Sequence, residues 1–360
     1  MPENNNIFSK WLWRLVTIVA IVAWIIMLLS SFADRISPLT NHYIPFLGLF
    51  FPFILAFNLA FLAFLIIFRK WKQSLMAFIV LLACWGSIQT YFPFHRTNQT
   101  IPENCIKVLT YNVMSFNHQT KHTQENPCPI LKYIVDQSPD IICLQEYTTQ
   151  WGMSEETVRQ ILKNTPHFWF CPTDLAIFSK YPILSTERIF LETGFNSTCM
   201  VELDVNGRKV TLFNMHLESN KITADDCAEY YDLTKIPNKD RLESFTHKMY
   251  QRLKPAFQTR AKQSETIAKF IRETPNESVI VCGDFNDTPI SYARRTIKGN
   301  LKDAFVESGS GMGISFNRHR FLFRIDYILH SKNMKAHNCT VGKLKTSDHY
   351  PVWTYLEFCE

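Results

Sequence analysis

The chain has 360 residues, of which 46% are hydrophobic, and its formal net charge is +6. Residues 1–95 hold six of the 38 basic residues and two of the 32 acidic residues, so residues 96–360 are almost charge-balanced. That balance argues against strong electrostatic binding of nucleic acid, because such binding needs a clear excess of basic residues. The length suits one large domain or two smaller ones.

The first 95 residues are predicted to be a membrane anchor with three transmembrane helices. Apolar runs long enough to cross a bilayer occupy about 12–31, 43–68 and 74–92. Pro45 and Pro52 interrupt the second run. A cleaved signal peptide is the competing interpretation of the first run. It is disfavoured because two further runs follow and no small-x-small cleavage site is evident.

The positions of lysine and arginine predict how this anchor is oriented. The basic turn Arg69-Lys70-Trp71-Lys72 lies between the second and third runs, and Lys10 and Arg14 precede or enter the first. Basic loops stay in the cytoplasm, so the N-terminus and this turn are placed inside. Residues 96–360 are therefore predicted to lie outside the cytoplasm. In a bacterium this means an inner-membrane protein facing the periplasm.

Residues 96–360 are predicted to form one α+β domain with two packed sheets and outer helices. Short β-rich runs predict strands at 105–112, 140–146, 175–179, 184–191, 199–205, 208–216, 277–283, 322–329 and 350–357. Helices are predicted at 128–137, 154–163, 256–273 and 290–298. Asn206-Gly207 between two alternating runs indicates a two-residue hairpin. The polar, aromatic segment 218–257 is interpreted as an insertion or a flexible lid.

Cysteine usage leaves the redox state open. Ten cysteines occur, and no two are spaced as CxxC, which disfavours a zinc knuckle or a redox motif. Cys143 and Cys282 lie inside apolar runs and are interpreted as buried thiols. A disulfide fits an oxidising compartment, but the sequence does not select the pair among seven further cysteines: Cys105, Cys128, Cys171, Cys199, Cys227, Cys339 and Cys359.

Polar side chains end several of the predicted strands. Asn112, Glu146, His216 and Asp284 each close or directly follow an apolar run, and Ser347-Asp348-His349 lies near the C-terminus. Polar groups that converge from the ends of strands are how a rigid sheet builds a site. The spacing therefore predicts a site at one edge of the sheets.

Six short blocks follow one another between about residues 104 and 358: Tyr111-Asn112-Val113, Leu144-Gln145-Glu146, Asn214-Met215-His216-Leu217, Gly283-Asp284-Phe285-Asn286, Arg324-Ile325-Asp326-Tyr327 and Ser347-Asp348-His349. Each block is weak alone. Together and in this order, they resemble the blocks of the endonuclease/exonuclease/phosphatase superfamily. The resemblance implies a four-layer α/β/β/α sandwich of deoxyribonuclease type that hydrolyses phosphoesters with a divalent metal.

The resemblance also implies how the metal is held. A phosphodiester is anionic and repels hydroxide, so its hydrolysis needs charge neutralisation and an activated water. Mg²⁺, with Mn²⁺ as the alternative, prefers carboxylate and amide oxygens and stabilises phosphoryl oxygens and the leaving alkoxide. Glu146 is implied as the main metal ligand, with Asn112 beside it and Asp348 near the metal.

Catalytic roles are implied for five further residues. Asp284 would orient or deprotonate the attacking water, and Asn286 would donate to the phosphate. Asp326 would fix the tautomer of His349, which acts either as general base or as a cationic stabiliser. His216 would be a second phosphate-binding histidine, as in the deoxyribonuclease and sphingomyelinase branches.

Two departures from the pattern disfavour particular branches. Met114 stands where abasic-site endonucleases have an acidic residue. Cys282 and the segment Arg324-Ile325-Asp326 replace the tryptophan and the Cys-Asp-Arg motif of inositol polyphosphate 5-phosphatases. Arg260 faces either the phosphate or solvent, and the exposed position is the favoured interpretation.

Three functions remain. The favoured one is an extracytoplasmic endonuclease or general phosphodiesterase, whose partner is nucleic acid. The second is a sphingomyelinase-like lipid phosphodiesterase, which the anchor would hold near lipid headgroups. The third is a catalytically silent membrane scaffold, disfavoured because every inferred catalytic position is filled. The fold alone does not choose a substrate, since it hosts several.

Overall fold

The computed structural model of the protein describes residues 3–117, 123, 126–149, 153–191, 196–236, 238–318 and 322–359. The chain divides into two compact units. The first comprises Met1–Tyr91 with Ile290–Tyr292, and the second comprises Phe92–Pro289 with Ala293–Glu360. All site residues predicted from the sequence lie in the second unit.

The N-terminal unit is built from apolar helices. They are α1 Glu3–Ser31, α2 Ile44–Leu49, α3 Phe51–Ile67, α4 Trp71–Ala83 and α5 Trp85–Tyr91, with a 3₁₀ helix at Ala33–Arg35. Pro45 and Pro52 lie in the first turns of α2 and α3, where a missing N–H is tolerated. Pro52 also lacks the N–H that a continuous helix would donate to the carbonyl of Gly48, so the helical run breaks near Phe50.

The prediction of three transmembrane helices is wrong, because the described residues contain fewer than three continuous spans. Among the described residues, one helix is long and apolar enough to cross a membrane, at Ser9–Ser31. The second predicted span is split near Phe50, which leaves the 17-residue helix α3. The third is bent by 61° between α4 and α5, and it adds a second span only if this bent pair is taken as one.

From residue 92 onward the chain alternates strands and helices. The helices are α6 Pro129–Gln137, α7 Glu155–Ile161, α8 Ala224–Lys235, α9 Lys239–Glu273, α10 Tyr292–Lys298 and α11 Ala304–Ser308. The strands are β1 Ile106–Asn112, β2 Ile141–Gln145, β3 His167–Phe170, β4 Ala176–Ser179, β5 Ile183–Ile189, β6 Ser197–Val205, β7 Arg208–His216, β8 Ser278–Asp284, β9 Lys302–Asp303, β10 Asp326–His330, β11 Met334–Val341 and β12 Val352–Phe358.

In the described part of the chain these strands form two sheets. One sheet has the order β11-β12-β1-β2-β4-β3, and the other has the order β5-β6-β7-β8-β10-β9. The central pairs are parallel: β1 with β2 in the first sheet, and β7 with β8 in the second. Parallel neighbours end at the same edge, so Asn112 pairs with Gln145, and His216 pairs with Asp284.

Burial explains how the sheets are stacked. Val108, Ile141, Leu212 and Ile280 share one core cluster, which lies between the two sheets. The alternate residues of the same strands point outward, as the two-residue period of a strand requires. Leu109 and Ile142 pack with helix α6 in a second cluster. Phe213 and Val281 pack with Ile267 of α9 in a third cluster.

The α+β prediction of two packed sheets with outer helices is confirmed. The Asn206-Gly207 hairpin is also confirmed, since Val205 pairs with Arg208 and both turn residues have positive φ. Segment 218–257, interpreted as an insertion or flexible lid, contains α8 and the first half of α9, with residue 237 outside the described residues. About half of the side chains there are exposed, and the first half of α9 buries only a few apolar residues, among them Phe245 and Leu253.

Candidate active site

Asn112 joins two carboxylates at the edge where the parallel strands end. Its side-chain Nδ2 donates to Glu146 Oε1 at 3.1 Å and to Asp284 Oδ2 at 3.1 Å, which links the two sheets. Its Oδ1 accepts from the backbone N–H of Met114 at 3.1 Å. The amide is fully buried, so its orientation is set by these three bonds.

The backbone next to these groups is left-handed at several non-glycine residues. Glu146 has φ 49°, and the turn Met114–Asn117 has positive φ at every position. The N–H of Ser115 donates to the carbonyl of Glu146 at 2.9 Å, which ties the turn to the end of β2. Such backbone costs on the order of 1–3 kcal/mol per residue and collects at functional sites. Here it aims the Glu146 side chain, which is 38% exposed.

Asp284 lies at the centre of the site and is almost fully buried. Its Oδ1 accepts from the N–H of Asn286 at 2.8 Å, and its Oδ2 accepts from Asn112. Burial raises the pKa of Asp284 to about 6, although the nearby histidines oppose the shift. The strand register places Asp326 directly opposite Asp284 on β10.

His349 is paired with a buried carboxylate. Its Nδ1 lies 2.9 Å from Asp326 Oδ2, and its Nε2 lies 3.6 Å from Asp284 Oδ2. Burial by itself lowers the pKa of a histidine, but the carboxylates of Asp326 and Asp284 outweigh it and raise the pKa of His349 to about 10. The backbone N–H of Asp326 donates to Ser315 Oγ at 3.1 Å, which fixes the start of β10.

His216 forms a second pair of the same kind, with a partner that the sequence analysis missed. Its Nδ1 lies 2.5 Å from Asp174 Oδ2, and its Nε2 lies 3.8 Å from Asp284 Oδ2. Burial opposes protonation, but the bond to Asp174 and the charge of Asp284 raise the pKa of His216 to about 9. Ser197 Oγ donates to Asp174 Oδ1 at 2.7 Å and completes the support.

Asp174 was missed because only strand pairing brings it to the site. It stands just before β4, and β4 runs antiparallel to β2, so Leu144 pairs with Ala176. The start of β4 therefore lies beside the end of β2 and Glu146. An acidic residue directly before a predicted strand is the signal in the sequence, and it becomes informative once the neighbour of that strand is known.

The loops after β7 and β8 are held together. Asn286 Nδ2 donates to the carbonyl of Leu217 at 2.9 Å, so this side chain supports the loop that follows His216. Arg260 on α9 donates to Asp287 Oδ2 at 3.0 Å and to the carbonyl of Glu218 at 2.7 Å. Arg260 is fully buried, so the interpretation of an exposed arginine is wrong.

The contacts of the Asp348 side chain are with residues other than Glu146 and Asn112. Among the described residues its side chain lies 3.4 Å from Arg318 Nη1 and 3.5 Å from Ser347 Oγ. Ser347 Oγ in turn donates to the carbonyl of Asn112 at 2.8 Å. The structure thus brings Asn112, Glu146, Asp284 and both histidine pairs together, and it links Asp348 to them through Ser347.

The donors at this edge fit a divalent cation. Glu146 offers a partly exposed carboxylate beside the Asn112 amide, which is the hard oxygen chemistry that Mg²⁺ and Mn²⁺ prefer. Ligand atoms of Asp284, Asp326 and His349 form a neighbouring set, all within 4.8 Å of one another. Asp326 Oδ1 is buried and has no hydrogen-bond partner among the described residues. The Glu146 carboxylate is the hard oxygen ligand of the first set, and Asn112 positions it by donating from Nδ2.

The order of these residues along the chain is that of a known family. The model of the Endonuclease/Exonuclease/phosphatase family matches residues 109–349. The chain belongs to this family. The resemblance seen in the six blocks is therefore confirmed. A second model, Domain of unknown function (DUF8431), matches residues 13–91. A search of curated proteins finds no match.

Several solved structures are similar to this family member. The human Nocturnin catalytic domain with a bound sulfate anion is 19% identical with a TM-score of 0.52, over 72% of this chain and 95% of that one. An endonuclease/exonuclease/phosphatase from Beutenbergia cavernae is 16% identical with a TM-score of 0.49, over 71% and 72%. Humanized D. rerio TDP2 is 16% identical with a TM-score of 0.47, over 71% and 100%.

Proposed function

We propose that this family member is a divalent-metal-dependent phosphodiesterase that acts as an endonuclease. The observation that carries the proposal is the arrangement of two carboxylate-paired histidines around one carboxylate. His216 and His349 each bond an aspartate through Nδ1 and direct Nε2 toward Asp284 Oδ2, at 3.8 and 3.6 Å. Two N–H donors that converge on one point suit an anionic phosphoryl group.

The aspartate partners set which ring nitrogen faces the substrate. Asp174 and Asp326 bond Nδ1 of His216 and His349, so Nε2 is the atom left to face the phosphate. Asp284 lies between the two rings and is the carboxylate placed to orient the attacking water and accept its proton. Asn286 keeps Asp284 in position through its backbone N–H.

Glu146 and Asn112 are proposed to hold the cation. When bound, Mg²⁺ or Mn²⁺ supplies charge neutralisation for the phosphoryl oxygens and the leaving alkoxide. Asn112 orients the Glu146 carboxylate by its 3.1 Å bond, and it shares the same amide with Asp284. Asp348 is proposed as an outer contributor, because Ser347 connects its backbone to Asn112.

The test uses the full-length chain in neutral detergent with Mg²⁺, Mn²⁺ or EDTA. Substrates are plasmid DNA, bis(p-nitrophenyl) phosphate and sphingomyelin vesicles. We expect nicking and chromophore release that EDTA stops, and His349→Ala should lower kcat by at least about 100-fold. The matched control is His167→Ala, at the start of β3 and the opposite end of its sheet. Turnover that survives both EDTA and His349→Ala contradicts the proposal.

The substrate panel separates the alternatives. Headgroup release from sphingomyelin vesicles without nicking assigns the protein to the lipid phosphodiesterase branch. No turnover of any substrate, with normal folding and metal binding, favours the catalytically silent scaffold.

We also propose that residues 1–95 anchor the protein and that residues 96–360 form the catalytic domain outside the cytoplasm. The apolar helix Ser9–Ser31 supports an anchor, and Lys10 and Arg14 in its first turns support an N-terminus inside, which places the end of that helix outside. The basic turn Arg69–Lys72 lies inside only when α3 also crosses the membrane and the α4–α5 pair crosses back. Alkaline phosphatase fused after residue 95 should be active, and green fluorescent protein fused there and exported as an unfolded chain should be dark. Fluorescence of green fluorescent protein together with inactive alkaline phosphatase would show that residue 95 lies in the cytoplasm, which contradicts the proposed orientation.

A further inference from the structure

A groove of about 580 Å³ lies in the second unit, between the end of β11 and the segment after α11. Its cationic lining residues are Lys343 and Lys345, its other ionisable lining residues are His95, Cys339 and Tyr350, and among the described residues no carboxylate lines it. Hydroxyl groups of Ser310 and Thr340 add hydrogen-bonding capacity. The local excess of positive charge contrasts with the near balance of residues 96–360 as a whole.

The two lysines are presented to solvent together. Lys343 and Lys345 are both exposed, and Leu344 between them packs on the outer core of the first sheet. Both side chains line the same groove, so the two ammonium groups lie on the same side of the loop. Neither forms an ion pair with a described residue. Their positive charge is therefore available to a ligand.

The groove is continuous with the loop that carries His349. Lys345 precedes His349 by four positions, so their Cα atoms are at most about 14 Å apart. Tyr350 lines the groove, and its backbone N–H donates to the carbonyl of Ser315 at 2.6 Å. Ser315 Oγ also accepts from Asp326, the partner of His349. One connected set of residues thus lines the groove and supports the catalytic pair.

The chain that enters the second unit forms the opposite wall. His95 Nε2 lies 2.9 Å from the carbonyl of Val306, and the N–H of Asn98 donates to Asn338 Oδ1 at 2.7 Å. Asn338 Nδ2 returns a bond to the carbonyl of Asn98 at 3.0 Å. These contacts fix the wall against α11 and β11, so the groove is formed before any ligand binds.

We propose that this groove binds phosphates of a single nucleic-acid strand on one side of the scissile phosphate. The inference rests on the proposed phosphodiesterase function and names its substrate class. A lipid with a single phosphate would place that group at His349 and leave the lysines without an anion. A strand presents further phosphates within the reach of Lys345, and the tyrosine ring offers a surface for a base.

The test measures binding without catalysis. A fluorescein-labelled dT12 strand is titrated with full-length protein in neutral detergent and EDTA, at several KCl concentrations. The variant is Lys343→Ala/Lys345→Ala. The control is Lys163→Ala/Lys332→Ala, which removes the same charge from exposed lysines outside the groove. We expect the slope of log Kd against log salt to fall by about 1.4 in the groove variant, about 0.7 per lysine, and to stay unchanged in the control.

Hydrolysis distinguishes the two proposals. Turnover of bis(p-nitrophenyl) phosphate should be the same in wild type and groove variant, because this substrate has one phosphate. Equal salt slopes in wild type and groove variant, or no binding of the strand to wild type, overturn the groove proposal. Loss of binding to phosphatidylglycerol vesicles with unchanged strand binding also overturns it and points to lipid. If the slope of log Kd against log salt changes in the groove variant but the wild type hydrolyses no substrate, only the phosphodiesterase proposal is contradicted.

Discussion

Gln145 and Asn214 face each other across the sandwich, and Gln145 Nε2 donates to Asn214 Oδ1 at 2.7 Å. Asn214 Nδ2 donates in turn to the carbonyls of Leu144 and Ala176 on the opposite sheet. Both amides are fully buried. Gln145 directly precedes Glu146, and Asn214 lies two positions before His216, so this amide pair sets how the two halves of the site meet.

Asn214→Leu should destabilise the protein and misplace the site. It removes one bond from Gln145, which keeps its bond to Thr110 Oγ1, and it removes the Asn214 donor from two buried carbonyls. Each buried group left unsatisfied costs about 1–3 kcal/mol. Thermal unfolding should show a clear fall in Tm. Thr198→Val is the control, because that buried hydroxyl has no partner among the described residues and should be nearly neutral. Equal Tm changes in both variants contradict the assignment.

Asp326→Asn should lower kcat by about 10²–10⁴-fold while the fold is kept. The neutral amide no longer selects the tautomer of His349 or stabilises its charge. Steady-state kinetics on bis(p-nitrophenyl) phosphate and circular dichroism measure the two effects. A variant with normal kcat shows that the Asp326–His349 pair is only structural.

Asp174 and His216 should act as one unit. Asp174→Asn and His216→Ala should each reduce kcat, and the double variant should be little worse than His216→Ala alone. The coupling energy from this cycle should fall within about 0.5–3 kcal/mol, as for residues in direct contact. Simple additivity of the two effects indicates that Asp174 does not act through His216.

Glu146→Gln should weaken metal binding more than Asp348→Asn does. Glu146 offers a partly exposed carboxylate beside Asn112, whereas Asp348 contacts Arg318. Calorimetric titration with Mn²⁺ compares the two variants, which remove the same charge. If Asp348→Asn has the larger effect, the cation lies on the other side of Ser347.

Glu307 should make stability depend on acid pH. Burial favours its neutral form, but bonds from His330, Lys302 and the N–H of Ala336 outweigh burial and lower its pKa from 4.5 to about 2. A depressed pKa contributes stability above the unfolded-state value, and this contribution is lost as the pH falls through the folded-state value. The Tm difference between wild type and Glu307→Gln should be full above about pH 5 and shrink toward pH 2. A Tm difference that stays constant from about pH 7 to pH 2 contradicts a contribution of the Glu307 carboxylate to stability.

Several residues of the site could be predicted because they lie at the ends of strands that the local sequence pattern predicts. Strand ends carry Asn112, Glu146 and Asp284, and the parallel pairs of the sandwich bring those ends to one edge. Asp326 and His349 were predicted as a pair, and their side chains lie 2.9 Å apart. Asp174 was not predicted, because its proximity depends on the antiparallel pairing of β4 with β2.

The sequence by itself determined the family, the two-sheet sandwich and most of the polar groups at the site, since strand periodicity and motif order are local properties of the chain. Only the tertiary structure decided the buried position of Arg260, the Asp174–His216 pair and the groove beside His349. It also replaced three predicted spans by one continuous long helix among the described residues. Burial, pairing and helix continuity depend on which distant segments meet, and hydropathy along the chain does not encode that.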